Sequence, residues 1–320
     1  MGVLLSQRLS VFYERFKNIE VTFTKEIIQV TGLLTQQVHL KCGNDFWPCV
    51  VYNASFEGAK IVANIKTGLL GKLQQTNNFI NLRFCFRPPG ETNPVTFFVA
   101  GRVLASVPYG NSQDVHMFTI QFSNRPPDDF IEIVGRVLDA NVNSSKRKED
   151  RIPLTPDNLR RLNILTTEGT VFIERVPRRC ILRDISFSGS KLIMMGVAKF
   201  LLEKDAALKI EFNDPKEAFL IQGKFVRAEM VEGKKEMVAL GLNFNETVVP
   251  MGFKIRLNEM LTSQRADFRG TAEDTAASKL AKAKAAVIAK SKPSQNIPPA
   301  AAKKEPPPPP PAKEETLADI

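Results

Sequence analysis

The chain has 320 residues, enough for two ordinary domains, and its apolar fraction of 43% excludes wholesale disorder. Its formal net charge of +10 suits an anionic partner such as a phosphodiester, a nucleic acid or a lipid surface. No apolar run reaches the roughly 20 residues that cross a bilayer, and the N-terminus lacks the pattern of a secretory signal. We therefore expect a soluble, cytoplasmic protein.

The metal-ligating residues are scattered. The two histidines lie far apart in the sequence, and the cysteines form no CxxC pair; they are Cys42, Cys49, Cys85 and Cys180. Because the ligands of a zinc site cluster at short spacings, we expect no metal site. The cysteines are expected to act as small apolar residues in a reducing compartment.

The predicted elements begin with a helix over residues 6–17. Beyond it, short segments alternate apolar and polar residues with the period of a strand. Examples are residues 81–86, 97–103, 208–212 and 219–225. Turns rich in Gly, Asn and Pro join such segments, which is typical of a barrel or a sandwich. Two further helices are predicted over 128–141 and 251–262. The first has an apolar face formed by Phe130, Ile133, Val134, Val137 and Leu138.

An internal repeat divides the chain. The segment WPCVVYNASFEG, residues 47–58, aligns without gaps with RRCILRDISFSG, residues 178–189. Further along, Gly101 and Phe122 align with Gly223 and Phe244, after a loop that is longer in the first copy. Each copy is therefore predicted to be a mainly β domain, an antiparallel barrel of six or seven strands followed by a helix.

The composition changes from about residue 265 onward to Ala, Lys and Pro, including six consecutive prolines over 306–311. Such a segment has few backbone donors and little apolar surface to bury. We expect a disordered tail over 265–320. It follows a first domain over 1–140 and a second over 141–264.

The second copy is preceded by SSKRKEDR, in which Arg147 and Arg151 stand four residues apart. Within the copy, 33 residues after Arg151, comes DISFSG, which begins at Asp184. The order RxxxR, then DxSxxG, ahead of a small barrel, resembles the signature of the PilZ family of cyclic di-GMP receptors. The resemblance covers roughly residues 20–262 and is strongest over 144–245.

The resemblance implies a cyclic di-GMP site formed by five residues. Arg147 and Arg151 are expected to clamp the ligand, because a guanidinium donates two parallel hydrogen bonds to phosphate or to the O6/N7 edge of guanine. Asp184 is expected to accept from the donors of guanine. Ser186 is expected to offer its hydroxyl, and Gly189 to let the backbone come close to the ligand.

The first copy keeps NASFEG over 53–58, with Asn53 in place of the aspartate. Nothing upstream supplies two arginines, since the segment KEIIQVT from Lys25 contains one cation. We predict a degenerate PilZ-like barrel that does not bind the nucleotide, an arrangement similar to the tandem PilZ receptors of spirochaetes. In the second copy, Ile185 and Phe187 are expected to point into the barrel.

The clamp residues lie in a linker of about residues 140–155, whose segment SSKRKEDR, 144–151, is charged, and we expect this segment to be mobile without ligand. Closure of both arginines on the dinucleotide would order it and fix one barrel relative to the other. The resemblance implies a receptor that is not an enzyme, and no Walker, GxSxG or HExxH motif is present. It also implies control of motility, biofilm or virulence through an unidentified protein partner.

Two other functions stay open on the sequence alone. The first is nucleic-acid binding by the basic surface, although the phenylalanines alternate with strand period and are interpreted as core. The second is a structural adaptor whose proline run docks into a partner's groove.

Overall fold

The computed structural model describes residues 2–264, without the side chains of residues 2–5 and 235. The tail expected over 265–320 therefore lies outside the described residues. Within them, seven helices are present: α1 Gly2–Phe16, α2 Lys25–Thr31, α3 Leu69–Gln75, α4 Asp128–Lys146, α5 Pro156–Leu162, α6 Ala198–Leu201 and α7 251–264. In this part of the chain, no helix combines the length and apolar character needed to cross a membrane.

Fourteen strands are present in the same residues, seven in each half of the chain. The first half contains β1 Val21–Thr22, β2 His39–Cys42, β3 Asp45–Ala54, β4 Gly58–Asn64, β5 Phe79–Phe86, β6 Val95–Tyr109 and β7 Ser112–Phe122. The second half contains β8 Ile152–Pro153, β9 Glu168–Ile173, β10 Val176–Ile185, β11 Gly189–Met195, β12 Asp205–Asn213, β13 Lys216–Val231 and β14 Lys234–Phe244.

Each set of strands forms a closed antiparallel barrel of six strands with a seventh, two-residue strand added. The first ring has the order β3-β2-β5-β6-β7-β4, and β4 pairs back with β3. The second has the order β10-β9-β12-β13-β14-β11, and β11 pairs back with β10. Strands β1 and β8 add to β3 and β10. The prediction of two antiparallel β-barrels is confirmed, and their topologies are identical.

The aligned glycines of the repeat stand where two strands approach closely. A Cβ on Gly58 would lie 2.4 Å from the carbonyl oxygen of Ile120, and a Cβ on Gly189 would lie 2.4 Å from that of Leu242. Neither position accommodates a side chain unless the backbone shifts. The repeat therefore keeps glycine at both positions because of strand packing.

Each barrel encloses its own apolar core, the first drawn from residues between Leu9 and Leu138, the second from residues between Ile152 and Leu261. A helix closes each barrel in the same way. Phe130 of α4 meets Phe122 edge-on at 6.2 Å between ring centroids, and Phe253 of α7 meets Phe244 edge-on at 6.1 Å. The predicted closing helices are thus present. We retain 1–140 and 141–264 as proposed domain limits.

Helix α4 extends beyond its predicted end at residue 141, to Lys146. The apolar periodicity stops near residue 141, which is why the pattern indicated an earlier end. The helix continues because Asn143 and Ser144 are buried, with the Asn143 amide donating to Asn258 Oδ1 of α7 at 2.8 Å. The expectation of a mobile linker is therefore wrong for residues 144–146, which are helical.

Helix α4 contacts both α1 and α7 through a chain of polar side chains. Arg15 Nη1 of α1 donates to Asp139 Oδ1 at 2.9 Å, and the Asn258 amide of α7 donates to Asp139 Oδ2 at 2.8 Å. With the bond between Asn143 and Asn258, these contacts form what we name the polar chain: Arg15, Asp139, Asn258 and Asn143. Because buried polar groups are costly unless paired, it constrains how the three helices pack.

Candidate functional site

The two predicted motifs lie side by side in the second barrel. Arg147 is the first residue after α4, and its backbone N–H donates to the carbonyl of Asn143 at 2.9 Å. A few residues later β8 pairs antiparallel with the end of β10, with Pro153 opposite Asp184. This pairing brings Arg151 next to Asp184, although the two are 33 residues apart in the sequence.

Arg151 and Asp184 form an exposed ion pair. Arg151 Nη1 donates to Asp184 Oδ1 at 2.8 Å, and the same oxygen accepts from the backbone N–H of Lys191 at 3.1 Å. The Arg151 side chain is 47% exposed and that of Asp184 is 19% exposed. Ion pairs this accessible contribute about 0–1 kcal/mol. The contact therefore orients both groups while leaving the guanidinium free to exchange partners at small cost.

Arg147 lies in a different environment from Arg151. It is half-buried, at the end of α4, where the partial negative charge of the helix C-terminus favours a cation. The structure therefore brings the two arginines to one region but gives them unequal exposure.

Ser186 and Gly189 form the turn between β10 and β11. The fully buried Ser186 hydroxyl donates to the carbonyl of Gly189 at 3.0 Å and accepts from its N–H at 3.0 Å. The single proton of this hydroxyl is therefore already donated within the turn, so in this structure it offers no donor to a ligand. Gly189 does permit a close approach, but the approaching group is the carbonyl of Leu242.

Two serines that the motif did not single out connect the turn to its surroundings. Ser188 Oγ donates to the carbonyl of Lys148 at 2.8 Å, and Ser190 Oγ donates to the carbonyl of Asp184 at 2.7 Å. The turn is thereby tied to the segment that carries both arginines. The only sequence signal was the density of serine within DISFSGS.

The apolar residues of the motif lie inside the barrel as predicted. Ile185 and Phe187 are both buried in the core of the second barrel. Cys180 lies earlier on the same strand, and burial raises the pKa of its thiol to about 11. The four cysteines are free and buried, in keeping with the expected packing role. No group of side chains suited to a metal occurs among the described residues.

The first barrel has a counterpart of this site. The pairing of β1 with β3 repeats that of β8 with β10 residue for residue. In this register, Phe16 and Glu20 hold the positions of Arg147 and Arg151. As predicted, no RxxxR precedes the first copy. The residues equivalent to the two arginines are, however, 16 and 20, and not the segment from Lys25.

The counterpart residues reverse the charge of the site. Glu20 accepts from the amide of buried Asn53 at 2.6 Å and from Lys60 Nζ at 3.3 Å. Phe16 is buried in the core of the first barrel. The carboxylate of Glu20 thus occupies the position of the Arg151 guanidinium, and the phenyl ring of Phe16 occupies the position of the Arg147 guanidinium. This geometry provides no cationic clamp for an anionic ligand.

Known proteins share both the first barrel and most of the length of this chain. Residues 7–141 match the model of the PilZN3 domain. Over 266 residues the chain is 38% identical to the cyclic di-GMP binding protein of Treponema denticola, covering 83% of this chain and 85% of that protein. The match to a PilZN3 domain over the first barrel and the identity over most of both chains point to one family. The chain belongs to the PilZ family.

Solved structures with similar folds include two from other bacteria. The Borreliella burgdorferi PlzA protein in complex with c-di-GMP is 20% identical, with a TM-score of 0.36 over 80% of this chain and 99% of that chain. The Bacillus subtilis inhibitor of motility is 13% identical, with a TM-score of 0.28 over 73% of this chain and 97% of that chain.

Proposed function

We propose that this chain is a receptor for cyclic di-GMP, which it binds at the second barrel through Arg147, Arg151 and Asp184. The observation that carries the proposal is the exposed pair of Arg151 and Asp184, formed where RxxxR meets DxSxxG. Support also comes from the Treponema denticola relative, which is named for binding this nucleotide.

The chemistry of the ligand matches these side chains. Cyclic di-GMP carries two phosphodiester charges and two guanines, each with O6 and N7 acceptors on one edge. A guanidinium bonds either target with two parallel donors. Hydrogen bonds to charged groups contribute about 1.5–3 kcal/mol each, whereas an exposed ion pair contributes about 0–1 kcal/mol. Exchange of Arg151 from Asp184 to the ligand is therefore favourable, and the released Asp184 carboxylate can accept from guanine.

Ser186 and Gly189 act in this proposal by shaping the turn. The Ser186 hydroxyl is occupied by Gly189, and Ser188 holds the turn to the backbone of Lys148. We assign these residues to the orientation of Asp184 and the arginine segment. Direct ligand contacts fall to the arginines and Asp184.

We further propose that ligand binding changes the arrangement of the two barrels. Arg147 follows directly on α4, which contacts helices of both barrels through the polar chain. The last member of that chain, Asn143, accepts the backbone hydrogen bond of Arg147. A displacement of Arg147 toward a ligand would therefore act on the end of α4. Scattering curves that coincide with and without nucleotide would reject the rearrangement and leave the binding site standing.

Calorimetric titration tests the receptor itself. We expect the full chain to bind cyclic di-GMP, and both Arg147→Ala and Arg151→Ala to weaken binding about 10- to 100-fold. Cyclic di-AMP is the matched control ligand, because it has the same phosphodiester charges while adenine presents a donor where guanine presents O6. Absence of heat with cyclic di-GMP, or equal affinity for both ligands, would reject the assignment.

The downstream role rests on family membership. We propose a cytoplasmic receptor that does not turn the messenger over and that regulates motility, biofilm or virulence through a protein partner. The proline run of the adaptor hypothesis lies outside the described residues. Deletion of residues 265–320 separates the two functions, because nucleotide binding should survive it unchanged.

A further inference from the structure

Three phenylalanines of the first barrel point away from its core. Phe46, Phe79 and Phe98 are 50%, 53% and 45% exposed. The interpretation of the alternating phenylalanines as core is therefore wrong for these three, which lie on the outer face of β3, β5 and β6. Single exposed apolar residues are common, but three rings on one sheet face call for an explanation.

Cations stand between these rings. Lys41 Nζ of β2 lies 5.4 Å from the centre of the Phe46 ring and 6.0 Å from that of Phe98. The guanidinium of Arg102 lies 5.6 Å from the centre of the Phe79 ring. Lys41 lies opposite Asn81 in the sheet, two residues from Phe79 on the same strand, so both groups of contacts lie on one face of the sheet.

The strand register adds a third cation, Arg83, which lies directly opposite Phe98 on the neighbouring strand. Among the ion pairs of the described residues, none involves Lys41, Arg83 or Arg102. Arg102 donates to Asn77 Oδ1 at 3.4 Å, but no carboxylate in this part of the chain neutralises any of the three cations, so their charge can attract an anionic partner. We name this surface the aromatic–basic face; it consists of Lys41, Phe46, Phe79, Arg83, Phe98 and Arg102.

The second barrel serves as an internal comparison, because its strands pair in the same register. At the positions of the three phenylalanines it has Pro177, Asp205 and Leu220. The lysine at the position of Arg102, Lys224, is paired with Glu203 at 2.6 Å. The barrel fold therefore requires neither the exposed rings nor cations without a carboxylate partner, and this combination of side chains is particular to the first copy.

We propose that the aromatic–basic face binds single-stranded nucleic acid. Exposed aromatic rings stack on unpaired bases of any sequence, and the interleaved cations attract the phosphates between them. Bases of a duplex are already stacked on each other, so a duplex of equal length should bind more weakly. The site is independent of the proposed cyclic di-GMP site, which lies on the second barrel.

Fluorescence anisotropy with the full chain and a labelled oligothymidylate of about 16 nucleotides tests this site. Phe46→Ala and Phe98→Ala should each weaken binding about tenfold, whereas Phe98→Tyr should retain it, because tyrosine also stacks. Phe200→Ala is the matched control, since Phe200 is 69% exposed on the second barrel. Lys41→Gln should lower the slope of log affinity against log salt by about 0.7, the value for one phosphate contact to a single strand.

Three results would overturn the proposal. One is equal affinity of wild type and the phenylalanine variants for the oligonucleotide, which would assign binding to charge elsewhere on the chain. Another is a duplex bound as tightly as the single strand. The third is that the phenylalanine variants lose binding to vesicles of anionic lipid but keep binding to the oligonucleotide. That result would identify a membrane-binding surface. Melting temperatures of the variants establish that each one is folded.

Discussion

Replacing Arg151 by alanine isolates the contribution of one guanidinium to nucleotide binding. In the free protein this group forms an exposed pair with Asp184, which contributes about 0–1 kcal/mol and would be given up on binding. In the complex it gains charge-assisted hydrogen bonds of about 1.5–3 kcal/mol each. Because the exposed pair contributes little, the net loss in the variant is about 1.5–3 kcal/mol, on the order of 10- to 100-fold weaker binding. The affinity of Arg151→Lys should lie between those of the wild type and Arg151→Ala, because lysine keeps the charge and loses the planar fork.

Isothermal titration with cyclic di-GMP measures this loss. Arg160→Ala is the matched control, since Arg160 is an exposed arginine of the same barrel whose ion pair with Asp157 spans 3.7 Å. Stability should change little, because an exposed pair of at most about 1 kcal/mol shifts the melting temperature by no more than about 4 °C. If Arg151→Ala bound within about twofold of wild type, while remaining folded, the clamp assignment would be refuted.

Three further predictions concern packing. Gly189→Ala places a Cβ against the Leu242 carbonyl, and we expect a loss of about 1–3 kcal/mol in the free energy of unfolding measured with urea. Asp139→Ala removes the acceptor of the buried Asn258 amide, so the same assay should record a loss of about 1–3 kcal/mol, and an unchanged midpoint would contradict a structural role for the polar chain. Burial raises the pKa of Cys180 to about 11, so in the native chain at pH 8 this thiol should stay protonated and unreactive toward a disulfide reagent, and become reactive on unfolding.

Much of the local structure around the two motifs could be predicted, because it is specified by residues close together in the chain. Glycines recur in both copies where two strands touch, and the alternation of apolar residues marks each strand. The arginine pair stands close together in the chain, so its spacing is visible in the sequence. The sequence did not predict that the Ser186 hydroxyl bonds to Gly189 within its own turn, because hydrogen-bond partners depend on how the turn closes.

Strand alternation identifies two faces but does not say which one is inside when both carry apolar residues. Strand β3 shows this ambiguity: Trp47 is buried on one face, and Phe46 is exposed on the other. Only closure of the barrel assigns each residue to the core or the surface. For that reason the aromatic–basic face could not be predicted from the chain alone.

The amino-acid sequence by itself determined the repeat, the two barrels, the closing helices and the motif that marks the second barrel, because periodicity and short spacings carry that information. Tertiary structure decided which distant groups meet. Pairing of β8 with β10 brings Arg151 to Asp184, and the equivalent pairing brings Glu20 to Asn53. The charge of each site depends on this register, which strand pairing sets across long stretches of intervening chain.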